Sequence, residues 1–311
     1  MKSKYNYKAV VNGDSIEIYH YTNKDDLYFE GDSEDVSDRK SKGKERVKSE
    51  MIREEIDPED GRTYEVRVDN YDSLEKKKAL GFLDEEQYRV RKLKSADNSA
   101  NRRKTTVRRL IETNLKAWGY PVFLTITYAE NFQDREQAKI DFDYFLKKIC
   151  YHYGDKAGQN KKRKWLKYVA VIEYQERGAI HFHTVIFNLP YIHATELADL
   201  WGHGSIHIQK VRKDTIEEYR KVIGYMCKYM TKTFYDDEET EKTGKLVASP
   251  NQNGYLRSKG LHKPQELYFS KDETDKLESL LKEFDIGFES QFINDYTGNV
   301  EYKHYYRREE E

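Results

Sequence analysis

Two histidines separated by one residue lie in an apolar segment and have the residue types and spacing of a metal site. His181 and His183 flank Phe182 within Ile180–Phe187, a run of β-branched and aromatic residues that predicts a buried strand. Successive side chains of a strand point to opposite faces, so both imidazoles share one face. A buried polar pair needs partners, and a metal ion supplies one. The simpler alternative is a pair of hydrogen-bonded histidines, because this spacing alone is weak evidence of metal binding.

The preceding predicted strand, Tyr168–Tyr174, offers a carboxylate to the same site. Glu173 lies among apolar residues, where a lone charge is costly. A hairpin that turns around residues 177–178 places Glu173 opposite His181 or His183. Two imidazoles and one carboxylate suit Mg²⁺ or Mn²⁺ acting as a Lewis acid, with zinc left open. The alternative for Glu173 is a salt bridge to a nearby lysine.

A predicted helix, Thr215–Phe234, carries tyrosines and lysines on one stripe. At ~100° per residue, Tyr225, Lys228, Tyr229 and Lys232 share a face, and the opposite face is apolar. A tyrosine with a pKa near ~10 needs help to act as a nucleophile. Neighbouring lysines favour the phenolate and offset the charge on a phosphoryl group. The stripe therefore predicts covalent phosphotyrosine chemistry. The alternative is an amphipathic helix whose tyrosines reach water.

The elements around these residues follow the order β-α-β-β-α-β. This order predicts an α+β, ferredoxin-like fold (split βαβ, RRM-like), in which an antiparallel sheet has helices on one face and a C-terminal tyrosine-bearing helix follows. The other face is expected to be open and to hold the site. The predicted elements before the tyrosine helix are Val122–Tyr128, Asp134–Tyr153, Tyr168–Tyr174, Ile180–Phe187, Thr195–Trp201 and Ser205–Val211.

The flanking regions are less clearly patterned and are expected to be partly flexible. Residues 1–100 form a poorly defined, partly disordered N-terminal region, in which 31–50 are expected to be mobile. Residues 101–265 form the main domain. Residues 266–311 form a helical and polar tail. The flanks contain predicted strands at Ser15–Tyr21, Thr63–Val68 and Leu267–Phe269, and predicted helices at Ser73–Leu80, Asp84–Leu93, Thr105–Trp118 and Asp272–Phe284.

Charge is unevenly distributed along the 311 residues, although the formal net charge is only -1. Residues 101–235 hold 24 Lys and Arg against 14 Asp and Glu, a net +10 between flanks of -4 and -7. This asymmetry predicts contact with nucleic-acid phosphates, and the alternative is a set of solvated basic faces. The predicted DNA-binding residues are Arg102, Arg103, Lys104, Arg108, Arg109, Lys161, Lys162, Arg163, Lys164, Lys210, Arg212 and Lys213.

Several functional classes are excluded or disfavoured. The sequence contains no GxxxxGK[ST] loop, so no P-loop helicase or ATPase is expected. It has no apolar run as long as a membrane span and no apolar signal segment at its start. The two cysteines, Cys150 and Cys227, have no CxxC partners and indicate a reducing cytoplasm.

Together, these motifs resemble those of HUH endonucleases, in the form found in rolling-circle replication initiators (Rep proteins) of bacterial plasmids and single-stranded DNA phages. The resemblance covers residues 100–265, and the histidine motif precedes the tyrosine helix, as in replication initiators. The matching segments are Phe123–Tyr128 as the structural strand, His181-Phe182-His183 as the metal motif, Glu173 as an extra ligand, Tyr225–Lys232 as the tyrosine helix and Arg257–Pro264 downstream of it.

The resemblance implies metal-dependent, site-specific nicking and rejoining of single-stranded origin DNA through a 5′-phosphotyrosine intermediate. Tyr229 is implied as the main nucleophile, with Tyr225 as a second nucleophile or a supporting residue. Lys228 and Lys232 assist the nucleophile by favouring the phenolate form of the tyrosine. His181, His183 and Glu173 hold Mg²⁺ or Mn²⁺. The implied partners are single-stranded and hairpin origin DNA and, in the cytoplasm of a bacterial host, a helicase and a DNA polymerase.

Two other functions fit the same residues. One is a two-tyrosine HUH transposase, which the DNA flanking the gene distinguishes from an initiator. The other is a non-catalytic DNA-binding regulator of the same fold, which a nicking assay distinguishes from either enzyme.

Overall fold

The computed structural model describes residues 2–22, 28–30, 51–56, 63–68, 73–118, 121–155, 158–159, 164–175, 177–210, 216–232, 255–294 and 297–308. The segment 31–50, predicted to be mobile, lies outside these ranges. The chain divides into two compact units, residues 1–30 with 100–311 and residues 31–99. None of the helices that the structure describes is long and apolar enough to cross a membrane.

In chain order, the elements are β1 (Lys2–Lys4), β2 (Tyr7–Asn12), β3 (Ser15–Tyr21), β4 (Tyr28–Glu30), β5 (Met51–Ile56), β6 (Thr63–Val68), α1 (Leu74–Ala79), α2 (Glu85–Asn114), β7 (Val122–Thr127), α3 (Arg135–Tyr153), β8 (Tyr168–Tyr174), β9 (Ile180–Ile186), α4 (Ala194–Trp201), β10 (Ile206–Lys210), α5 (Ile216–Lys232), β11 (Tyr255–Arg257), β12 (Gln265–Phe269), a 3₁₀ turn (Lys271–Glu273), α6 (Thr274–Leu281), β13 (Phe284–Asn294) and β14 (Gly298–Arg307). In the smaller unit, β5 and β6 form an antiparallel hairpin.

A five-stranded sheet, here called the site sheet, carries the predicted metal residues. Its strand order is β10-β7-β9-β8-β11, and every pair is antiparallel. The predicted α+β class with an antiparallel sheet is therefore confirmed. One face packs against α3 and α4, where Phe182 stacks on Phe142 and also contacts Trp201.

The second face of the site sheet is also covered, contrary to the expected open face. The last turns of α2 and most of α5 pack against it, with Ile111 and Met226 fully buried among the sheet residues Phe123, Val171 and Val185. The expectation was wrong because the apolar stripes of both helices need a partner, and alternate residues of the strands provide one. The tyrosine helix therefore lies directly on the face that carries the histidines.

A second five-stranded sheet, here called the chain-end sheet, joins the two ends of the chain. Its order is β12-β2-β3-β14-β13. Three of its strands, β12, β13 and β14, come from the C-terminal region, where the sequence predicts a helical and polar tail over residues 266–311 with one strand at Leu267–Phe269. The predicted helix Asp272–Phe284 is wrong in its extent, since the 3₁₀ turn and α6 end at Leu281 and β13 begins at Phe284. Leu277 of α6 packs on Ile16 of β3 in the core of this sheet.

Local sequence signals explain how the elements next to the site begin. Asp134 caps α3, because its side chain accepts hydrogen bonds from the backbone N–H groups of Glu136 and Gln137. Gly204 lies just before β10, where a Cβ atom would come within 2.3 Å of the carbonyl oxygen of Thr127. Glycine is needed at this position to let the start of β10 approach β7 so closely.

Candidate functional site

The register of the site sheet places the three predicted metal ligands together. In the β8–β9 hairpin, Glu173 lies directly opposite His181. On the other side of β9, Thr127 lies opposite His181 and Thr125 opposite His183. Side chains at directly paired positions share a face, so the predicted common face of the two histidines and Glu173 is confirmed. Their role as ligands remains a prediction.

His183 is held by hydrogen bonds at both ring nitrogens. Its Nε2 lies 2.6 Å from Oε2 of Glu173, and its Nδ1 lies 3.4 Å from the hydroxyl of Thr125. The side chain is 2% exposed. A buried carboxylate and imidazole bonded in this way fix each other's orientation, as the second partner of a ligating histidine does in metal sites.

His181 differs from His183 because one of its nitrogens has no partner. Its Nε2 is buried and makes no hydrogen bond within the described residues. Burial also lowers the pKa of His181 below its ordinary value, so the neutral, metal-binding form is favoured. A buried polar atom without a partner is costly, and a bound ion would satisfy it.

The donor set fits a divalent metal, but the three side chains are not arranged as a ready-made cage. In the described residues, no group of three or more His, Cys, Asp or Glu is placed to hold a metal ion. The bond between His183 and Glu173 joins two atoms that are themselves candidate ligands. Metal binding by all three residues would therefore replace this hydrogen bond.

Tyr225 brings the tyrosine helix to the histidines. Its ring meets the ring of His183 edge-on at a centroid distance of 5.7 Å, and that of Phe123 at 5.0 Å. Tyr225 is 37% exposed and Lys228 is also exposed, whereas Met226 and Cys227 are buried. The predicted division of α5 into polar and apolar faces is confirmed for these residues. The side chains of Tyr229 and Lys232 lie outside the described part of the chain.

The predicted basic residues fall into different surroundings. Arg102 and Lys104 are exposed on α2. Lys164 pairs with Asp143. Outside the described residues lie Lys161, Lys162, Arg163, Arg212, Lys213 and the side chain of Lys210.

Arg108 and Arg109 belong to a buried ion-pair cluster, not to an open basic surface. Both guanidinium groups bond to Glu17 of β3, at 2.9 Å and 2.7 Å. Burial alone would raise the pKa of Glu17, but the hydrogen bond from Arg109 and the charges of both arginines hold it well below its ordinary value. Each arginine therefore has a buried structural partner, and the contact of these two residues with phosphates stays a prediction.

Comparison with known families finds a match that spans the site just described. Residues 121–234 match a family of replication-associated proteins, described under the name ORF2, which is consistent with a replication initiator. The match runs from the residue before β7 to just beyond α5, and it includes both histidines, Glu173 and both tyrosines.

Comparison with solved structures includes the hypothetical protein ORF119 from Sulfolobus islandicus rod-shaped virus 1. It is 21% identical over 40% of this chain and 91% of that chain, with a TM-score of 0.29. No curated protein matches the sequence.

Thr125 and Thr127 are site residues that the sequence interpretation did not identify. They face the histidines from β7, and the hydroxyl of Thr127 lies 2.8 Å from that of Ser205, the residue before β10. The available signal was their alternation with Leu124 and Ile126, which are fully buried on the opposite face. Once β7 is paired with β9, this alternation places both hydroxyls beside the imidazoles.

Proposed function

We propose that the protein is a rolling-circle DNA replication initiator that nicks and rejoins single-stranded origin DNA through a covalent 5′-phosphotyrosine intermediate. The observation that carries the proposal is the position of Tyr225 against His183, beside Glu173 and beside His181, whose Nε2 has no hydrogen-bond partner within the described residues. This arrangement lies within the segment that matches replication-associated proteins.

In this proposal, His181, His183 and Glu173 hold a divalent metal, Mg²⁺ or Mn²⁺. When bound, the metal acts as a Lewis acid toward the scissile phosphate. Thr125 keeps the ring of His183 oriented through its Nδ1. The buried apolar stripe of α5 fixes the helix on the sheet, so that its tyrosines approach the phosphate from a rigid element.

The chemical step is a transfer of the phosphoryl group to tyrosine. The phenolic oxygen of Tyr229, proposed as the main nucleophile, forms a bond to phosphorus, and the bond from phosphorus to the 3′ oxygen breaks. The proton lost by the phenol balances the proton taken up by the 3′ oxygen. Lys228 and Lys232 favour the phenolate. Tyr225 supports the site or performs the second transfer, which rejoins the DNA.

The connectivity of the site sheet supports an HUH-type fold for this region. The order β10-β7-β9-β8 with α3 and α4 on one face has the pattern of a split βαβ unit, and α5 follows it as a separate tyrosine-bearing helix. We therefore propose the ferredoxin-like arrangement for residues 122–210. β11 extends it by one strand.

A nicking assay tests the proposal directly. A labelled single-stranded oligonucleotide carrying the inverted repeat beside the gene is incubated with the protein and Mn²⁺. We expect a covalent protein–DNA adduct that is absent with EDTA. Tyr229→Phe should remove the first adduct, and the double variant Tyr225→Phe/Tyr229→Phe should form none. A full yield of adduct from the double variant would contradict the proposal.

A second candidate is a DNA-binding regulator without catalysis. The hydrogen bond between His183 and Glu173 favours it, because it partly satisfies the site without any metal. This candidate predicts sequence-specific binding of the origin hairpin and no adduct under any metal condition, so the same assay distinguishes the two functions.

A further inference from the structure

A short loop after the tyrosine helix, residues 257–263, carries a concentration of positive charge. Its sequence is RSKGLHK, in which Arg257, Lys259, His262 and Lys263 are all exposed. Within the described residues, Arg257, Lys259 and Lys263 form no ion pair with a carboxylate. We call this segment the cationic loop. A surface loop with three formal charges and no carboxylate partners is suited to an anionic ligand.

The cationic loop is held in one conformation by a buried asparagine at the end of α2. Asn114 is fully buried, and its amide bonds to both backbone groups of His262, at 2.9 Å each. The same side chain also donates to the carbonyl of Leu110 and accepts from the indole N–H of Trp118. Both donors and both acceptor positions of the amide are therefore used.

Further contacts fix the rest of the loop. Leu261 is buried in the core between the site sheet and the helices α2 and α5. Lys167 donates to the carbonyl of Lys259 at 2.8 Å and lies over the ring of Trp118. Gly260 adopts φ +74°, the left-handed conformation that the turn requires. The backbone is thus immobilised, whereas the cationic side chains point to solvent.

The loop begins on the face of the sheet that holds the histidines. Arg257 of β11 lies opposite Val169 of β8, which is on the same strand face as Glu173. Val169 and Glu173 are four residue steps apart along β8, a distance of about 13 Å. Because α2 and α5 cover the face between them, a polyanion that passes around these helices from the histidine site can reach this loop.

We propose that residues 257–263 form a preformed phosphate-binding loop that holds the backbone of the DNA beside the nicking site. The proposal rests on the proposed function for the identity of the ligand. Preorganisation matters because ordering a loop and its long side chains on binding would cost conformational entropy. The bound chemistry is the phosphodiester backbone, of either a single strand or the adjoining duplex.

Salt dependence of DNA binding provides the test. The variant Arg257→Gln/Lys259→Gln/Lys263→Gln is compared with Lys271→Gln/Lys276→Gln/Lys282→Gln, which removes the same charge from exposed lysines around α6. Dissociation constants for a single-stranded oligonucleotide and for a duplex are measured by fluorescence anisotropy between 50 and 300 mM salt. Thermal unfolding of both variants confirms that each is folded.

We expect the loop variant to lose up to about 2 units of slope in log K against log salt for a single strand. Affinity near 0.1 M salt should fall roughly 10- to 100-fold, and the control variant should stay close to the wild type. A loss of slope or affinity on the single strand or on the duplex supports the proposed phosphate-binding loop. The form of DNA that shows the loss is the form that the loop binds. Equal slopes for the loop variant and the control on both forms would overturn the proposal.

The fluorescence emission of Trp118 gives a second, independent test. Trp118 is only partly buried, whereas Trp165 and Trp201 are buried. DNA on the cationic loop should change the emission of Trp118, and Trp118→Phe should remove that change. An unaltered emission change in Trp118→Phe would place the DNA elsewhere. Adduct formation is measured in a separate assay. Failure to nick DNA would reject the proposed function, whereas the loop proposal depends on the binding and emission measurements.

Discussion

The two five-stranded sheets of the larger unit each carry a buried polar cluster, and the clusters differ in whether their ionisable groups are satisfied. Beside the chain-end sheet, Glu17 accepts hydrogen bonds from Asn12, Tyr19, Arg109 and Tyr302 and pairs with Arg108. On the site sheet, His181 has a buried nitrogen without a partner within the described residues.

The difference in hydrogen bonding distinguishes a cluster with a structural role from a cluster with a proposed functional role. A cluster whose charged groups all meet partners inside the protein, as Glu17, Arg108 and Arg109 do, fixes one arrangement of its elements, here the chain-end sheet on α2. A cluster with an unfilled buried position has a reason to bind something from outside. We therefore expect changes to the first cluster to affect stability, and changes to the second to affect activity.

The largest effect should come from His181, the unsatisfied member of the site cluster. His181→Gln should reduce the yield of the covalent DNA adduct roughly 100-fold or more, because a ligand of the proposed metal is lost. The free energy of unfolding should change by only about 1 kcal/mol, since no hydrogen bond of Nε2 is broken. Adduct yield and urea unfolding are measured on the same preparation. A stable variant with full adduct yield would remove His181 from the site.

The sequence predicts one cluster better than the other, because the partners in the two clusters lie at different separations along the chain. The β8–β9 hairpin is local, so the spacing of His181 and His183 and the parity of the turn were enough to predict that they share a face with Glu173. The pairing of Arg109 with Glu17 spans 92 residues. No local pattern in α2 signals such a partner, so both arginines were interpreted as DNA contacts.

The missed strands have a similar cause. β13 is an edge strand whose exposed residues include Ile286, Phe288 and Ile293, so it lacks the alternation of a half-buried strand. β14 has a buried Val300 and His304, but its half-buried tyrosines hide the pattern. β14 pairs with β3 from the opposite end of the chain, and β13 pairs with β14. Sequence periodicity does not reveal the distant partner β3.

In the ion-pair cluster, Glu17 should show the opposite phenotype to His181. Glu17→Gln removes the carboxylate that pairs with two buried arginines, so the free energy of unfolding should fall by about 3–5 kcal/mol. The rate of adduct formation, measured well below the unfolding temperature, should change little. Glu283→Gln, which breaks an exposed pair with Arg307, serves as the control and should cost about 1 kcal/mol or less. If both substitutions cost the same, the cluster does not hold the chain-end sheet in place.

A pH dependence of stability is expected from Glu112, which joins the same cluster through Arg108 and Ser15. Burial raises its pKa to about 7, despite the opposing charge of Arg108. A carboxyl with a raised folded-state pKa contributes stability that is fully present below its unfolded pKa and is lost as pH rises through the folded value. The relevant window runs from about 4.5 to about 7.

Glu112→Gln tests this dependence because glutamine stays neutral at every pH. Relative to the wild type, its free energy of unfolding should rise by on the order of 1–3 kcal/mol between pH 5 and pH 8. The nearby His304, whose pKa is lowered to about 3 by burial and by Arg108, titrates in both proteins and largely cancels in the difference. A difference that stays constant from pH 5 to pH 8 would show that Glu112 titrates normally.

The smallest effect should come from Thr125, which only orients a proposed ligand. Thr125→Val removes the 3.4 Å contact to Nδ1 of His183 and should weaken Mn²⁺ binding roughly 10-fold, with stability unchanged. Thr184→Val is the matched control, because Thr184 is buried on β9 and its hydroxyl has no partner within the described residues. Isothermal titration calorimetry measures the Mn²⁺ affinity of the two variants. Equal affinities for the two variants would mean that Thr125 does not position His183.

The central claim is that the unsatisfied site and the tyrosine helix together form a covalent bond to DNA, and peptide mapping of the adduct tests it most directly. Trypsin cuts after Lys221, Lys228 and Lys232, so Tyr225 and Tyr229 fall in separate peptides, 222–228 and 229–232. After nuclease trimming, mass spectrometry should find the nucleotide on 229–232 for the first cut, and on 222–228 if Tyr225 performs the second transfer. A nucleotide on any peptide outside α5, or no linked peptide at all, would contradict the account.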